Sequence, residues 1–162
     1  MASAHDVAKY ILEDLGSIST WKLQKLVYYT QAWHLVWAEK PLFQDRIEAW
    51  ANGPVVPTLY SQHRGHFSVS TWRKGDVDKL TTRERRTIDR VLKSYGSLTG
   101  QQLVWLTHNE PPWIDARGGL SATEPSHTQI TTAAMADFYL AIDADESAIA
   151  IEEIDWEDVG AS

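Results

Sequence analysis

The chain has 162 residues, no cysteine and eight tryptophans, with 22 acidic residues against 15 basic ones and a formal charge of −7. Its length suits one domain with one core, and the lack of cysteine excludes disulfide scaffolds and cysteine-zinc modules. The longest apolar runs, four or five residues, exclude a transmembrane helix. Met1 to Asp6 has neither the basic start nor the apolar core of a secretory signal, so a cytoplasmic protein with no membrane partner is expected. Net acidity argues against a dedicated duplex-binding protein. The charge is unevenly spread: residues 1–117 hold all 15 basic and 12 acidic residues, whereas residues 118–162 hold ten acidic residues and no basic one.

Val7, Ile11 and Leu15 recur every four residues, which predicts an amphipathic helix from Ser3 to Leu15, capped by Ser3 and Asp6 and stopped by Gly16. A longer helix follows from Ser19-Thr20 to about Ala38. Leu23, Leu26, Val27, Thr30, His34 and Trp37 form one stripe, and Tyr29, Trp33 and Val36 an adjacent one. So wide an apolar arc marks a helix buried on more than one side. Pro41-Leu42-Phe43 breaks it. Asp45 to Ala51 reads as a short extended segment with Ile47 and Ala49 opposite Glu48 and Trp50, followed by an Asn52-Gly53-Pro54 turn. Pro57 can open a short helix to about Gln62. Residues 63–80 read as a loop with room for a strand at Phe67 to Trp72.

Helicity resumes at Thr81-Thr82, with Ile88, Val91, Leu92 and Tyr95 on one face and Gly96 at its end. Thr99 and Gln102 have capping-box spacing ahead of Leu103 and Leu106, and Asn109 to Trp113 closes that helix. A last core helix is expected from Thr131 to Ile142, with Ala134, Phe138 and Ile142 inward. The fold class is therefore mainly α: a single compact helical domain over residues 1–142 with a small β element near 45–72, and an acidic extension over 143–162.

No catalytic set emerges. There is no Gly-x-Ser-x-Gly elbow, no phosphate-binding glycine loop, and paired carboxylates occur only in the tail. Neither a metal site nor a cofactor is expected: His63 and His66 are spaced i, i+3 but sit beside Arg64 and Gly65 and read as surface histidines. His34 reads as a core histidine bonded to a backbone carbonyl, and His108 as a helix-end residue. Arg83, Arg86, Arg90 and Lys93 form a basic stripe, read as a solvated helix face because no aromatic residue interleaves with it. Trp21, Trp33, Trp37, Trp50, Trp105 and Trp113 lie in periodic segments and read as core. Trp72 and Trp156 stand among charges, where each is either folded back or offered to a partner.

The run Leu23-Gln24-Lys25-Leu26 on the long helix, Glu48-Ala49-Trp50, Gly53-Pro54-Val55, and later Thr107-His108 and Pro112-Trp113 resemble, in order, the motifs of the Panacea domain, the SocA-like family of prophage-associated antitoxins. The resemblance covers about residues 5–140 and leaves the acidic tail outside. It implies a non-enzymatic antitoxin of a type II toxin–antitoxin system, which neutralises a cognate protein toxin by direct binding. The toxins paired with such domains include alarmone-synthetase-like enzymes and tRNA- or nucleotide-modifying translation inhibitors. The resemblance also implies an alternative, an adaptor that delivers its toxin to an unfoldase and ATP-dependent protease. The basic stripe leaves a further alternative, a DNA-binding regulator of its own operon. The motif positions Leu23, Gln24, Lys25, Leu26, Trp50, Gly53, Pro54, Val55, His108 and Trp113 read mostly as scaffold. Gln24 and Lys25, polar within an apolar helix, are the framework positions with scope for more. Specificity is expected in variable parts, and the tail is the candidate: Glu152, Glu153, Asp155, Glu157 and Asp158 to meet a basic toxin surface, Ile154 and Trp156 as apolar anchors, and Ala148 to Ile151 as an added strand.

Overall fold

A computed structural model describes residues 1–145, 151–157 and 159. In chain order the elements are α1 (Ala4–Leu15), β1 (Ile18–Ser19), α2 (Thr20–Trp37), β2 (Glu48–Trp50), β3 (Gly53–Val55), α3 (Pro57–His63), β4 (Ser68–Val69), α4 (Thr82–Tyr95), α5 (Gly100–His108), α6 (Pro111–Ala116) and α7 (Thr132–Ala144). Short 3-10 turns occupy Val77–Lys79 and Ile151–Glu153. The mainly α reading with a small β element is what the chain adopts.

Helix starts follow their side chains. Ser3, Ser19, Thr81, Thr99 and Thr131 each accept a hydrogen bond from a backbone N–H in the first turn of the helix they cap. At Ser3, Thr81 and Thr99 the reciprocal bond from Asp6, Glu84 and Gln102 completes a capping box. Gly16, at φ 74°, ends α1.

The wide apolar arc of α2 has the consequence expected of it. Leu23 to Ala32 is buried without interruption, and α2 packs against α4, α5 and α7. Burial on all sides takes its polar side chains out of water, and Thr30, Gln31 and one ring nitrogen of His34 find partners inside. Thr30 donates back to the Leu26 carbonyl at 2.8 Å. Gln31 accepts from the Leu42 and Phe43 backbone amides at 2.8 and 3.3 Å and donates to the Phe43 carbonyl at 2.7 Å, fastening the segment that follows the helix. His34 is indeed buried, but its Nδ1 meets the Thr87 hydroxyl at 2.8 Å and not a backbone carbonyl, because α4 packs against α2 there.

β2 and β3 form an antiparallel hairpin in which Glu48 faces Val55, Ala49 faces Pro54 and Trp50 faces Gly53. Ile47 and Ala49 are buried while Glu48 and Trp50 are half-buried, the alternation expected of residues 45–51. The turn lies at Ala51-Asn52, so Gly53-Pro54-Val55 is strand and not turn. Residues 128–130 flank β2 on its other edge through Ala49 N–H to Thr128 O, Ile130 N–H to Ile47 O and a Glu48–Gln129 bridge. β1 pairs with β4, and Trp72 folds back into the core beside His5.

Two further expectations are corrected. Pro111-Pro112-Trp113 does not merely end α5; its prolines occupy the first positions of α6, where a missing N–H costs nothing. In α7 the inward residues are Met135 and Tyr139, with Phe138 and Ile142 half-buried and Ala134 exposed. That helix is apolar almost all round, so its sequence leaves the phase open by one residue.

Replacing Gln31 with Leu keeps the volume but orphans two buried amides and a carbonyl. It should cost about 2–5 kcal/mol, read as a lower urea midpoint at unchanged slope.

Candidate functional site

Four α2 residues, Thr20, Trp21, Gln24 and Lys25, fall on one face at i, i+1, i+4 and i+5 and line a cavity of about 430 Å³. The hairpin (Trp50, Ala51, Asn52, Val55), α3 with the loop after it (Tyr60 and His63 to His66) and residues 125–127 complete the wall. Five family-motif positions thus converge here: Gln24, Lys25, Trp50 and Val55 in the lining, and Gly53 directly over Lys25.

Gly53 sits at φ 110°, and a Cβ there would stand 2.5 Å from Lys25 Cε and 3.0 Å from Thr107 Oγ1. Only glycine lets the hairpin press so closely on the lysine. Lys25 is 1% exposed. Burial lowers its pKa to about 7, and no carboxylate among the described residues offsets that. Beside it, Gln24 accepts from the Val56 amide at 2.9 Å and donates to the Val56 carbonyl at 3.3 Å, and its Nε2 lies 2.9 Å from His63 Nε2. The amide nitrogen can only donate, so that ring nitrogen is the acceptor and His63 is held neutral. Burial, and then Lys25 and His66, lower its pKa. His63 is therefore a buried residue, 6% exposed, and the reading as a surface histidine is corrected; His66 is exposed as expected. Trp21, read as core, is 42% exposed at the rim.

A second set of motif residues braces the hairpin from behind. His108 stacks on Trp113 with centroids 4.0 Å apart, and the Arg117 guanidinium lies over the same Trp113 ring at 4.8 Å. Trp113 Nε1 donates to the Trp50 carbonyl at 2.8 Å, and Arg117 donates to the Ala49 carbonyl at 3.0 Å and to the carbonyls of Ser121 and Glu124. Burial, then Lys25 and Arg117, lower the His108 pKa. Glu48 is turned to Trp50 Nε1 at 2.9 Å, Arg46 at 2.8 Å and His127 at 3.4 Å. Burial alone would raise its pKa, but those donors hold it below the ordinary value.

Behind α2 lies a group that sequence reasoning missed. Glu110 accepts from the Tyr29 and Tyr139 hydroxyls at 2.7 and 2.8 Å, Tyr28 and Tyr139 hydroxyls are 3.1 Å apart, and Tyr29 stacks on Tyr95 at 4.1 Å. Burial raises the Glu110 pKa to about 7 against the pull of its two tyrosine donors. Three helices contribute those tyrosines, so no local pattern shows the cluster.

The basic stripe is partly engaged. Arg83 donates to the Trp37 carbonyl at 2.7 Å and Arg90 lies over the Trp37 ring at 4.0 Å, leaving Arg86 and Lys93 exposed without aromatic neighbours in the sequence. In the tail, Ile151, Ile154 and Trp156 are partly buried against the core, and Trp156 meets Trp105 edge-on at 5.5 Å. Glu152, Glu153, Asp155 and Glu157 are exposed. Asp158 and residues 148–150 of the expected added strand lie outside the described residues. Among the described residues, no group of His, Cys, Asp and Glu is arranged to hold a metal, and no helix is long and apolar enough to cross a membrane.

Fold and cavity together define a small, mainly helical domain whose central helix carries the core on its length and a hairpin-capped cavity at its N-terminal end. The model of the antitoxin SocA-like, Panacea domain family matches residues 23–114, and the chain belongs to that family. Antitoxin SocA of Caulobacter vibrioides is 29% identical over 134 residues, which cover 68% of this chain and 68% of that protein. An antitoxin role is the general assignment this membership carries. No solved structure matches the chain.

Lys25 and Glu110 make opposite marks on stability. With Lys25 near 7 in the folded chain against an ordinary 10.5, the unfolded chain binds more protons between those values, so stability rises with pH across that window. With Glu110 near 7 against an ordinary 4.5, the folded chain binds more protons between those values, so stability falls as pH rises. Urea denaturation should show wild type gaining on Lys25→Met from about pH 7 to 10.5, and losing ground to Glu110→Gln from about pH 4.5 to 7. Flat difference curves would mean that both groups are solvated.

Proposed function

We propose that this protein neutralises a cognate protein toxin by binding it directly, without catalysing a reaction. Family membership supports the antitoxin part of this reading. The observation that favours direct binding is the tail turn. Ile154 and Trp156 are spent on the chain's own core, so they are anchors of the tail to the body, while Glu152, Glu153, Asp155 and Glu157 face away. A carboxylate strip already fixed to a folded body loses little conformational freedom on binding. Opposite a basic toxin surface it would chiefly raise the association rate and suppress unlike partners. The partner this fits is a protein whose own target is negatively charged, such as a nucleotide, a tRNA or the ribosome. The toxin is then blocked in place and its level stays constant; an adaptor would shorten its half-life.

Reversing Glu152, Glu153 and Glu157 to lysine, with Ile154 and Trp156 kept, should leave the circular dichroism unchanged. It should slow toxin association by about tenfold or more at low ionic strength and abolish neutralisation in cells. Full neutralisation by the charge-reversed chain would exclude the tail as the toxin contact. A toxin half-life that falls when this protein is present would replace direct inhibition with delivery to a protease.

A further inference from the structure

The cavity beside Lys25 has a composition unlike the rest of the molecule. Among the described residues no carboxylate lines it, whereas Lys25, Arg64, His63, His66 and His127 all do. Three aromatic side chains, Trp21, Trp50 and Tyr60, share the same wall. The nearest acid in the hairpin, Glu48, is already occupied by Arg46, Trp50 and His127. Lys25 is buried within the fold and also contributes to the lining, and no carboxylate among the described residues offsets its charge. A buried charge of this kind is costly unless something pairs with it. The volume, about 430 Å³, falls in the range of sites for small organic molecules and cofactors.

We propose that this cavity is a binding site for a nucleoside phosphate, with the phosphate at Lys25 and the planar base against the aromatic rim. The phosphate supplies the counter-ion that the fold omits, and its remaining oxygens are within the reach of a wall that offers donors and no competing acceptor carboxylate. The base has π faces to meet: Trp21 is 42% exposed at the mouth, and Trp50, T-shaped to Tyr60 at 4.9 Å, is half-buried below it. Gly53 and the Gln24–Val56–His63 bonds hold the wall in place, so the site exists before the ligand arrives. This site is separate from the acidic tail and does not depend on how a toxin is bound.

The test is isothermal titration, with tryptophan fluorescence alongside, of the full chain against AMP, ADP, GMP and GDP. Adenosine, inorganic phosphate and the dipeptide N-acetyl-Trp-Asp serve as comparison ligands. At least one nucleotide should bind saturably and quench tryptophan emission, and adenosine or phosphate alone should bind at least about tenfold more weakly. Lys25→Met should weaken the nucleotide by about 10–100-fold. Trp21→Ala, at an exposed position, should weaken it by about fivefold or more. Arg64→Ala, also exposed, decides the electrostatic part should Lys25→Met fail to fold. Absence of saturable binding by all four nucleotides overturns the proposal, as does binding that is indifferent to these variants. Tighter binding of the dipeptide than of any nucleotide also overturns it, and reassigns the cavity to an acidic side chain of a protein partner.

Discussion

The middle of α2 is surrounded by protein on every side, and much of the remaining structure is a response to that. Gln24, Lys25, Thr30, Gln31 and His34 are all buried, and several of their polar groups are answered by distant parts of the chain. Gln31 draws in the Leu42-Phe43 segment, Gln24 draws in Val56 and His63, and His34 draws in Thr87 of α4. Polar residues in a buried helix act here as latches, each selecting which distant segment lies against which turn. An all-apolar α2 would bury as much surface but would not specify these neighbours.

Lys25 has no carboxylate partner among the described residues, and Gly53 packs directly over it. The hairpin approaches the lysine so closely that no side chain fits between them. The hairpin lies over the far end of the lysine side chain, Cε and Nζ included, while the residue still contributes to the cavity lining. The Gly-Pro-Val strand, the Leu-Gln-Lys-Leu helix and the Trp113–His108–Arg117 stack are thereby parts of one device: helix below, hairpin above, and a stack that holds the hairpin down through the Trp50 and Ala49 carbonyls. Segments far apart in the chain thus serve as one another's packing surface.

What the sequence shows of this is uneven, for physical reasons. Helix starts are legible because a cap is a contact between residues three apart, and the alternation of residues 47–50 is legible because a strand has a period of two. The width of the α2 arc correctly implies burial on several sides. The phase of α7 is not legible, since a helix apolar all round offers no polar face to orient it, and the hydrogen bonds of Tyr139 to Glu110 and Tyr28 decide it instead. Of the site, Gln24 and Lys25 announce themselves as polar residues in an apolar run. His63 does not: its neighbours Gln62, Arg64, Gly65 and His66 are polar, and only the long-range bond from Gln24 shows that its ring points inward. Glu110 carries no local signal, because its environment is assembled from three helices.

The charge pattern gains a different meaning once placed on the fold. A total of −7 describes no surface that a ligand meets. At physiological salt the field of an exposed charge is screened within about 8–10 Å, so a molecule approaching the tail meets carboxylates, whereas a molecule entering the cavity meets Lys25, Arg64, histidines, rings and uncharged polar groups. The two regions are chemically opposite and can serve unlike ligands at once. Whether they are coupled turns on the elements between them. The tail rests on Trp105 of α5, and α5 ends at His108, which stacks on Trp113 beneath the hairpin roof of the cavity. Occupancy at Lys25 would bear on that roof through Gly53 and Thr107, also in α5. One short helix therefore touches both regions, and it is the element through which a ligand in one could change the affinity of the other, by the same factor in each direction.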